Sequence, residues 1–482
     1  MNPPAKTPGD IFFPLLQSSH IRINFQGEYI LRRYELNMTS GKIWPVLLAF
    51  TWPLLLENLL QLLYYTADSV IVGQYVGMSA LAAVSATTHI CGMLVRFFNG
   101  TATGAGVVIS RSFGANDREK LKEAVTTTII LTLLACVILT LTGVMSSRFL
   151  LVRMSTPPDV IEEANIYLVI YFGGISGLLF YNIGGAILRA MGDTRRPLFF
   201  LIVCSVLNII LDLAFVNIFH WGIAGVAIAT ITAQALSAVL VMRSVVKTSG
   251  ASLNFRMKNM KIAGEILRIG LPFGIQMAVV AFSNVFVQGY INVFGTACIA
   301  GWGVYVKLDQ YMMLPIQSMG QAVTVFTGQN LGAGKHGRAV SGTWTALAMM
   351  IGITSFIALF LCVNAPFMSS FFSPDSGVIE YGSMFIRMCT PVAVICCFNN
   401  ILAGYLRGDG NSRMPMIITL CSHVFFRQIY LYVMTRVIPG NVYVVGFGYP
   451  AGWILCAVSM TAYYFMWQKK RGHMLSFIQS PK

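Results

Sequence analysis

The sequence predicts an all-α polytopic membrane protein, in which twelve transmembrane helices form two six-helix bundles related by a pseudo-two-fold axis along the membrane normal. Three observations predict this fold. The 482 residues are 56% hydrophobic and 11% charged, whereas a soluble protein of this size has about a quarter of its residues charged. Basic residues concentrate in alternate loops between apolar stretches. The second half of the chain also repeats motifs of the first.

Hydropathy divides the chain into apolar stretches long enough to cross a bilayer. The predicted helices cover residues 43–67, 80–105, 121–146, 160–188, 197–219, 222–246, 265–292, 297–325, 339–364, 378–405, 414–437 and 442–467. Basic residues precede the first helix and fill every second loop after it, so the positive-inside rule predicts both termini in the cytoplasm. These loops account for the formal net charge of +15 without nucleic acid as a partner.

The domain organisation follows from the helix pattern. We predict an N-terminal cytoplasmic arm at 1–42, an N-lobe at 43–246, a polar linker at 247–264, a C-lobe at 265–467 and a cytoplasmic tail at 468–482. Residues 1–37 lack the continuous apolar core of a signal peptide. They are either an interfacial arm or sequence upstream of a start at Met38. The cysteines lie without metal-ligand spacing and indicate neither a disulfide framework nor a metal site.

An offset of 218 residues aligns the two halves. Leu188–Pro197 corresponds to Leu406–Pro415, with arginine, glycine, Asp or Asn, a hydroxyl residue, arginine and proline in register. The same offset pairs Gly77 with Gly295, while Pro53 meets Pro272 with a slip of one residue. Since each copy holds six helices, both copies have the same orientation in the membrane, which is the parallel-repeat plan of many secondary transporters.

The first predicted helix carries Pro53, Glu57, Gln61 and Asp68 in an otherwise apolar sequence. Positions 57, 61 and 68 fall within roughly 40° of one another at 100° per residue, so they share one stripe of the helix. An ionised aspartate at the bilayer centre costs about 3 kcal/mol on insertion scales, which makes Asp68 a candidate for loading and releasing protons. The alternative is a buried carboxyl group that hydrogen-bonds a neighbouring helix for packing.

Helices five and six supply further polar residues to the N-lobe. Asn208 and Asp212 are four residues apart, so they share a face that can meet the stripe of helix one. Thr230 offers a hydroxyl among small residues that allow close helix packing. We therefore expect a polar cluster inside the first lobe.

The second half lacks a matching set of acids. Gln276 and Asn284 stand in helix seven, and Lys307 and Asp309 in helix eight. Lys307 and Asp309 are two residues apart and do not face each other on an ideal helix. They have either a substrate or coupling role or a structural one. We interpret a further set of intramembrane cations as snorkelling or neutralising charges rather than as substrate ligands: Arg96, Arg387 and Arg427.

No catalytic constellation is visible. There is no Walker loop, no His-Glu-x-x-His and no Cys-x-x-Cys, and the six histidines are scattered. We expect neither an enzyme nor a bound cofactor or metal. Without a nucleotide-binding domain, uphill transport would need an ion gradient.

The specific motifs are Tyr64-Tyr-Thr-Ala-Asp68-Ser, the Gly114 and Gly332 loops, and the repeated Arg189-to-Pro197 and Arg407-to-Pro415 segments. Over roughly residues 38–470 the chain resembles the MATE (multidrug and toxic compound extrusion) transporters, and within them the prokaryotic DinF-like branch. The resemblance implies a V-shaped pair of six-helix bundles.

The resemblance also implies a site and an activity. The positions that match the cation-coupling site of the DinF-like branch are Gln61, Tyr64, Asp68, Asn208, Asp212 and Thr230. Glu57 departs from the small or neutral residue usual there, and we expect it to add a titrating group or to change the cation preference. Pro53 is the expected hinge, and Lys307, Asp309, Gln276 and Asn284 are candidate polar residues of the C-lobe.

The implied function is export of lipophilic or cationic small molecules in exchange for protons, or alternatively sodium, by a monomer in a bacterial plasma membrane. The NorM-like branch uses acids in helices seven and ten that this chain lacks, so protons are favoured. Two other classes stay open. A flippase for lipid-linked precursors would need a more basic cavity, and a membrane-embedded enzyme would need a convergent catalytic set.

Overall fold

The computed structural model of the protein describes residues 36–154, 156–251 and 259–479. The predicted arm up to residue 35, the centre of the linker and the last three residues lie outside the described part. The first six helices are α1 (Ile43–Val76), α2 (Met78–Gly114), α3 (Arg118–Arg153), α4 (Pro158–Gly173 and Ile175–Ala190), α5 (Arg195–Ile218) and α6 (Gly222–Ser249).

The second six helices follow in the same order. They are α7 (Met260–Phe294), α8 (Thr296–Gly332), α9 (His336–Val363), α10 (Ser376–Ala393 and Cys396–Gly408), α11 (Arg413–Val437) and α12 (Val442–Gly446 and Gly448–Gln479). A short helix, Ala365–Ser370, connects α9 to α10. The predicted twelve helices are confirmed, and α12 continues beyond the predicted end at residue 467.

Two predicted helices are bent rather than straight. The axis of α4 turns by 50° between its two segments and that of α10 by 41°. The first bend falls at Gly173 and Gly174, where no side chain restricts the backbone, and the second follows Pro391, which removes a helix hydrogen bond. Since α4 and α10 occupy corresponding positions in the two halves, the bend is part of the repeat.

Among the described residues, nine helices are long and apolar enough to cross a membrane, and the two bent pairs raise this number to eleven. The twelfth is α8. It is 37 residues long, which is about 55 Å at 1.5 Å per residue, but Lys307, Asp309 and several glutamines make it more polar. It packs against α2 and α1 of the first lobe as well as against its own lobe. Within it Asp309 is half-buried and Lys307 is exposed.

The ends of α2 and α8 show the two-fold relationship directly. A Cβ atom on Gly114 would lie 2.0 Å from the carbonyl oxygen of Gln329, and one on Gly332 would lie 2.1 Å from that of Arg111. Gly114 corresponds to Gly332 and Arg111 to Gln329 at the offset of 218. The two contacts are therefore reciprocal, as a two-fold axis between the helices requires.

Small residues also bring α2 close to α7. A Cβ atom on Gly100 would lie 2.6 Å from the Cα atom of Gly274, and one on Gly104 would lie 2.4 Å from the backbone nitrogen of Gly270. Only glycine allows this backbone approach. These contacts join the lobes in the half of each helix that the basic loops predict to be cytoplasmic.

A π-helical turn explains the one-residue slip between Pro53 and Pro272. The last turn of α1, Val72–Val76, is π-helical, whereas α7 ends in a 3-10 turn at Asn292–Phe294. A π-turn adds one residue to a helix. Positions before it are therefore 219 residues apart in the two halves, and positions after it, from Gly77 onwards, are 218 apart.

Candidate functional site

The predicted polar cluster of the N-lobe is present. Helix α1 packs against α5, and α5 against α6. Asp68, Asn208, Asp212 and Thr230 are all buried, with exposed fractions of 8%, 1%, 0% and 4%. Asp68 and Asp212 are close enough for their charges to interact. The i, i+4 spacing of Asn208 and Asp212 turns both toward the interior of the lobe.

The polar atoms of this cluster are unusual in having few partners. Within the described residues, Oδ1 of Asp68, both carboxyl oxygens of Asp212 and both amide atoms of Asn208 are buried without a hydrogen bond. Native proteins pair most of their buried polar groups, and an unpaired group in a membrane interior costs several kcal/mol. These residues therefore have free capacity to bind a proton or a cation.

A tyrosine that the sequence did not single out completes the cluster. Tyr167, on the first segment of α4, is 6% exposed and interacts electrostatically with Asp68, Asp212 and the half-buried Tyr64. Its ring stacks on Tyr171, with 6.1 Å between the ring centroids. In the sequence Tyr167 is one aromatic residue among many in an apolar helix, so no pattern distinguishes it.

The remaining N-lobe candidates lie in α1 and α6. Gln61 is half-buried, and Pro53 is buried inside α1. The Thr230 hydroxyl donates to the carbonyl oxygen of Val226 at 3.0 Å, one turn earlier in α6. This bond leaves the lone pairs of the hydroxyl oxygen available to accept a proton donor or to ligate a cation.

Glu57 lies in a different environment from Asp68. Its Oε1 atom accepts a hydrogen bond from Nη1 of Arg189 at 2.9 Å and one from the hydroxyl of Tyr181 at 3.3 Å. Eleven residues of α-helix separate Glu57 from Asp68 along the axis, which is about 16 Å. A shared stripe on the helix therefore does not make a shared site, and the ion pair with Arg189 already neutralises Glu57.

In the C-lobe, Lys307 and Asp309 point to different surroundings, as their spacing predicts. The Nζ atom of Lys307 lies 5.5 Å from the centre of the Phe372 ring. Asp309 lies beside Tyr305 and Tyr449 and interacts with them electrostatically, and its Oδ1 atom is buried without a hydrogen bond within the described part of the chain. The two residues form no ion pair there.

The interpretation of Arg427 as a snorkelling or neutralising charge is wrong. Arg427 is 3% exposed, and its Nη2 atom donates to Ser283 Oγ at 2.8 Å and to Asn284 Oδ1 at 2.9 Å. The hydrogen bonds keep the guanidinium inside the protein, and no carboxylate of the described residues lies within 4.0 Å of it. Of the other C-lobe candidates, Gln276 is buried, and its Oε1 atom has no partner among the described residues.

A cavity of about 710 Å³ lies in the C-lobe, away from the N-lobe cluster. It is bounded by α10, the short helix after α9 and the start of α12, and it is lined by Glu380, Ser383, Met384, Arg387, Met388 and Tyr443 among others. In the three described ranges, no group of three or more His, Cys, Asp or Glu side chains is placed to hold a metal ion.

A second set of charged residues joins the lobes at the ends of α2, α7 and α10. Nη1 of Arg111 lies 3.3 Å from Oε1 of Glu265, and its Nη2 lies 3.9 Å from Oδ1 of Asp409. The Arg111 Nε atom donates to the carbonyl oxygen of Gly408 at 3.3 Å. Arg471 also pairs with Asp409. Sequence analysis placed Arg111 among the loop charges and did not predict this inter-lobe contact.

The sequence matches one family model and is similar to individual bacterial proteins. A family model described as MatE matches the chain twice, at residues 53–214 and 272–433. The probable multidrug resistance protein YoeA of Bacillus subtilis is 27% identical over 445 residues, which are 90% of this chain and 96% of YoeA. The probable multidrug resistance protein YpnP of the same organism is 26% identical over 80% of this chain and 87% of YpnP.

The fold is also similar to solved structures. A crystal structure described as MATE in the bent conformation superimposes with a TM-score of 0.84 and 21% sequence identity, covering 92% of this chain and 98% of that chain. A structure described as the outward-facing conformation of a multidrug resistance MATE family transporter of the MOP superfamily gives a TM-score of 0.83 at 21% identity, over 90% and 97% of the two chains.

Proposed function

Because this chain belongs to the MatE family, which consists of membrane transporters and not of enzymes, we propose that it is a secondary active antiporter. It exports lipophilic, often cationic compounds in exchange for protons by alternating access. The names of its bacterial relatives YoeA and YpnP support drug export. They favour this function over the transfer of lipid-linked precursors. The transporter works as a monomer in the plasma membrane of a bacterium, with both termini in the cytoplasm.

The observation that carries proton coupling is the set of buried oxygens on Asp68 and Asp212, next to Asn208, that have no hydrogen-bond partner within the described ranges. Two carboxylates that interact in a desolvated site repel each other when both are ionised. Binding one proton removes that repulsion and supplies a hydrogen-bond donor. The pair is therefore suited to take up a proton on one side of the membrane and to release it on the other.

The coupling mechanism is reciprocal occupancy of the N-lobe. Protonation of Asp68 weakens the hold of the lobe on a cationic substrate and favours bending of α1 at Pro53, where the helix lacks one hydrogen bond. Deprotonation restores the binding state. Tyr167 interacts with both carboxyl groups and with Tyr64, so the Tyr167 hydroxyl is suited to follow the change in charge.

The test uses purified protein in sodium-free liposomes with an acidic lumen. Valinomycin and equal potassium concentrations hold the membrane potential at zero, and ethidium, a permanent cation, is added outside. Molecules with their cytoplasmic side outward should take up ethidium in exchange for luminal protons. Asp68→Asn should abolish this uptake while the protein remains folded. Gradient-driven uptake by the variant at the wild-type rate would remove Asp68 from the mechanism.

A sodium gradient provides the second arm of the experiment. If a proton gradient drives no uptake but a sodium gradient does, the coupling ion is sodium and the proton assignment is wrong. If neither gradient drives uptake of ethidium or of a second lipophilic cation, export of this substrate class is wrong.

A further inference from the structure

The C-lobe contains a buried positive charge in the region that corresponds to the acidic cluster of the N-lobe. Helix α11 includes a π-turn at Cys421–Phe426, upstream of Arg427, while the π-turn of α5 at Ala214–Ile218 lies downstream of Asn208. Each π-turn adds one residue to its helix. The turn in α11 comes first, so corresponding positions of α5 and α11 are 218 residues apart at Pro197 and 219 residues apart beyond the turn in α11. Arg427 is therefore the counterpart of Asn208.

The two matches of the family model start 219 residues apart and also end 219 residues apart. This is the same register that the π-turns give for the positions before Val72 and around Arg427. In this register the acids of the N-lobe correspond to neutral residues of the C-lobe. Glu57 corresponds to Gln276, Asp68 to Val287 and Asp212 to Leu431. The acidic cluster of one lobe is thus matched by an isolated guanidinium group in the other.

The surroundings of Arg427 leave part of this charge unsatisfied. Its Nη2 atom is held by Ser283 and Asn284, and its guanidinium carbon lies 4.6 Å from the centre of the Tyr449 ring. The Nε atom is buried and has no hydrogen-bond partner in the described ranges. A buried cation without a carboxylate partner is costly for stability. An apolar residue at this position, such as the leucine found one turn later at 431, would fill the space without this cost.

Access to the guanidinium runs past one side chain. Asn284 is exposed, whereas Ser283 and Arg427 are buried, so Asn284 is the hydrogen-bond partner of Nη2 that borders the surface of the lobe. Aromatic rings adjoin the site. Tyr449 lies 5.4 Å from Trp302, which in turn lies 4.9 Å from Phe385, between ring centroids. Trp302 and Phe385 are themselves buried, so the half-buried Tyr449 is the ring of this stack that can contact an aromatic body next to the positive group.

We propose that Arg427, held in place by Ser283 and Asn284 and lying against Tyr449, binds the anionic group of an amphipathic aromatic substrate, a carboxylate or a phosphate. A guanidinium recognises such groups through charge-assisted hydrogen bonds. The claim that the anion is exported rests on the proposed function, whereas the claim that the anion binds does not. The transporter then accepts organic anions at the C-lobe, in addition to cations near the acids of the N-lobe.

The test compares two dyes with the same xanthene core, fluorescein as the anion and rhodamine 6G as the cation. Binding to the purified protein is measured by fluorescence polarisation. Arg427→Gln should weaken fluorescein binding about tenfold to a hundredfold, the loss expected for a charged hydrogen bond, and should leave rhodamine 6G binding within a factor of two. Arg427→Lys keeps the charge but not the planar fork, so its loss should be intermediate.

Two control variants separate anion binding from a structural role. Ser283→Ala removes a hydrogen bond of Arg427 but no charge, so it should change fluorescein binding much less than Arg427→Gln does. Asp309→Asn removes a negative charge that interacts with Tyr449 but not directly with Arg427, and it should leave fluorescein binding unchanged or tighten it. Equal losses in Ser283→Ala and Arg427→Gln, or fluorescein binding that survives Arg427→Gln, would overturn the proposal.

A measurement on the wild-type protein covers the case in which the arginine variants do not fold. Benzoate should displace fluorescein, and tetraphenylphosphonium should not. Displacement by both or by neither would contradict an anion site. The outcome is independent of the ethidium experiment. Arginine-dependent fluorescein binding without ethidium transport would support the anion site and reject cation export. Ethidium transport without fluorescein binding would support cation export and reject the anion site.

Discussion

Glu57 of α1 and Arg189 at the end of α4 form an ion pair inside the N-lobe, with 2.9 Å between Oε1 and Nη1. The exposed fractions of the two side chains are 9% and 19%. The pair ties α1 to α4 one turn after Pro53 in the sequence. It therefore fixes the part of α1 around the expected hinge, and Glu57 is a positioning residue at a distance from Asp68.

Removal of the Glu57 carboxylate should destabilise the protein. Glu57→Gln leaves the largely buried Arg189 without its counter-ion, and the loss of one partner of such a pair costs up to about 3 kcal/mol. We expect a clear fall in Tm, followed by intrinsic fluorescence in detergent. The matched control is Glu162→Gln. Glu162 pairs with Arg148 at a similar distance, 2.8 Å, but the two side chains lie at the surface and are 64% and 67% exposed. Such surface pairs contribute about 0–1 kcal/mol. Equal shifts in the two variants would show that Glu57 is not structural.

Neutralisation of Asp212 should abolish proton-driven transport without lowering the stability of the protein. Both carboxyl oxygens of Asp212 lack a hydrogen-bond partner among the described residues, and the ionised side chain is repelled by Asp68. Asp212→Asn removes that repulsion, so we expect an unchanged or higher Tm together with loss of proton-driven ethidium uptake. A lower Tm with retained uptake would indicate a structural carboxyl group.

Loss of Arg111 should loosen the contact between the lobes. This side chain links α2 to Glu265, Asp409 and the Gly408 carbonyl oxygen. Arg111→Gln should broaden and lengthen the distance distribution between spin labels at residues 116 and 334, measured by double electron–electron resonance with the exposed Cys421 replaced by serine. The control is Arg148→Gln, whose ion pair lies within the N-lobe. Identical distributions in the wild type and in Arg111→Gln would contradict the assignment.

The glycines of α2 provide a matched test of inter-lobe packing. In Gly104→Ala the added methyl group would meet the backbone of Gly270 at 2.4 Å, whereas in Gly92→Ala, on the same helix, it would meet no atom within 4 Å. We expect Gly104→Ala to cost about 1–3 kcal/mol through overpacking. Gly92→Ala should be neutral or stabilising by up to about 1 kcal/mol, because alanine favours the helix. Similar Tm values for both variants would contradict the close α2–α7 approach.

Sequence patterns predicted the twelve helices, the repeat and the polar cluster of Asp68, Asn208 and Asp212, because hydropathy and i, i+4 spacing depend on local geometry. The bends in α4 and α10 were not predicted, although Gly173, Gly174 and Pro391 mark them. A glycine pair or a proline permits a bend, but packing against other helices decides whether it forms.

The roles of the charged residues were harder to predict. Glu57 was grouped with Asp68 because they share a helical stripe, yet Arg189, 132 residues away in sequence, is its partner. Tyr167 joined the cluster without any local signal. Arg427 was interpreted as a snorkelling or neutralising charge because hydropathy places a charge along the chain and does not tell which helices surround it.

The sequence by itself determined the membrane-spanning class, the number and order of the helices, the two-fold repeat and the helix faces that carry polar groups. These properties follow from the covalent period of the helix and from the solvent in which it lies. Only the tertiary structure decided which polar groups meet. It paired Glu57 with Arg189 and brought together Asp68 and Asp212, which have three carboxyl oxygens without a hydrogen bond among the described residues. It also enclosed Arg427 away from any carboxylate of that part of the chain. Such contacts join helices far apart in the chain, and their energies depend on distance and desolvation, which are set by packing in three dimensions.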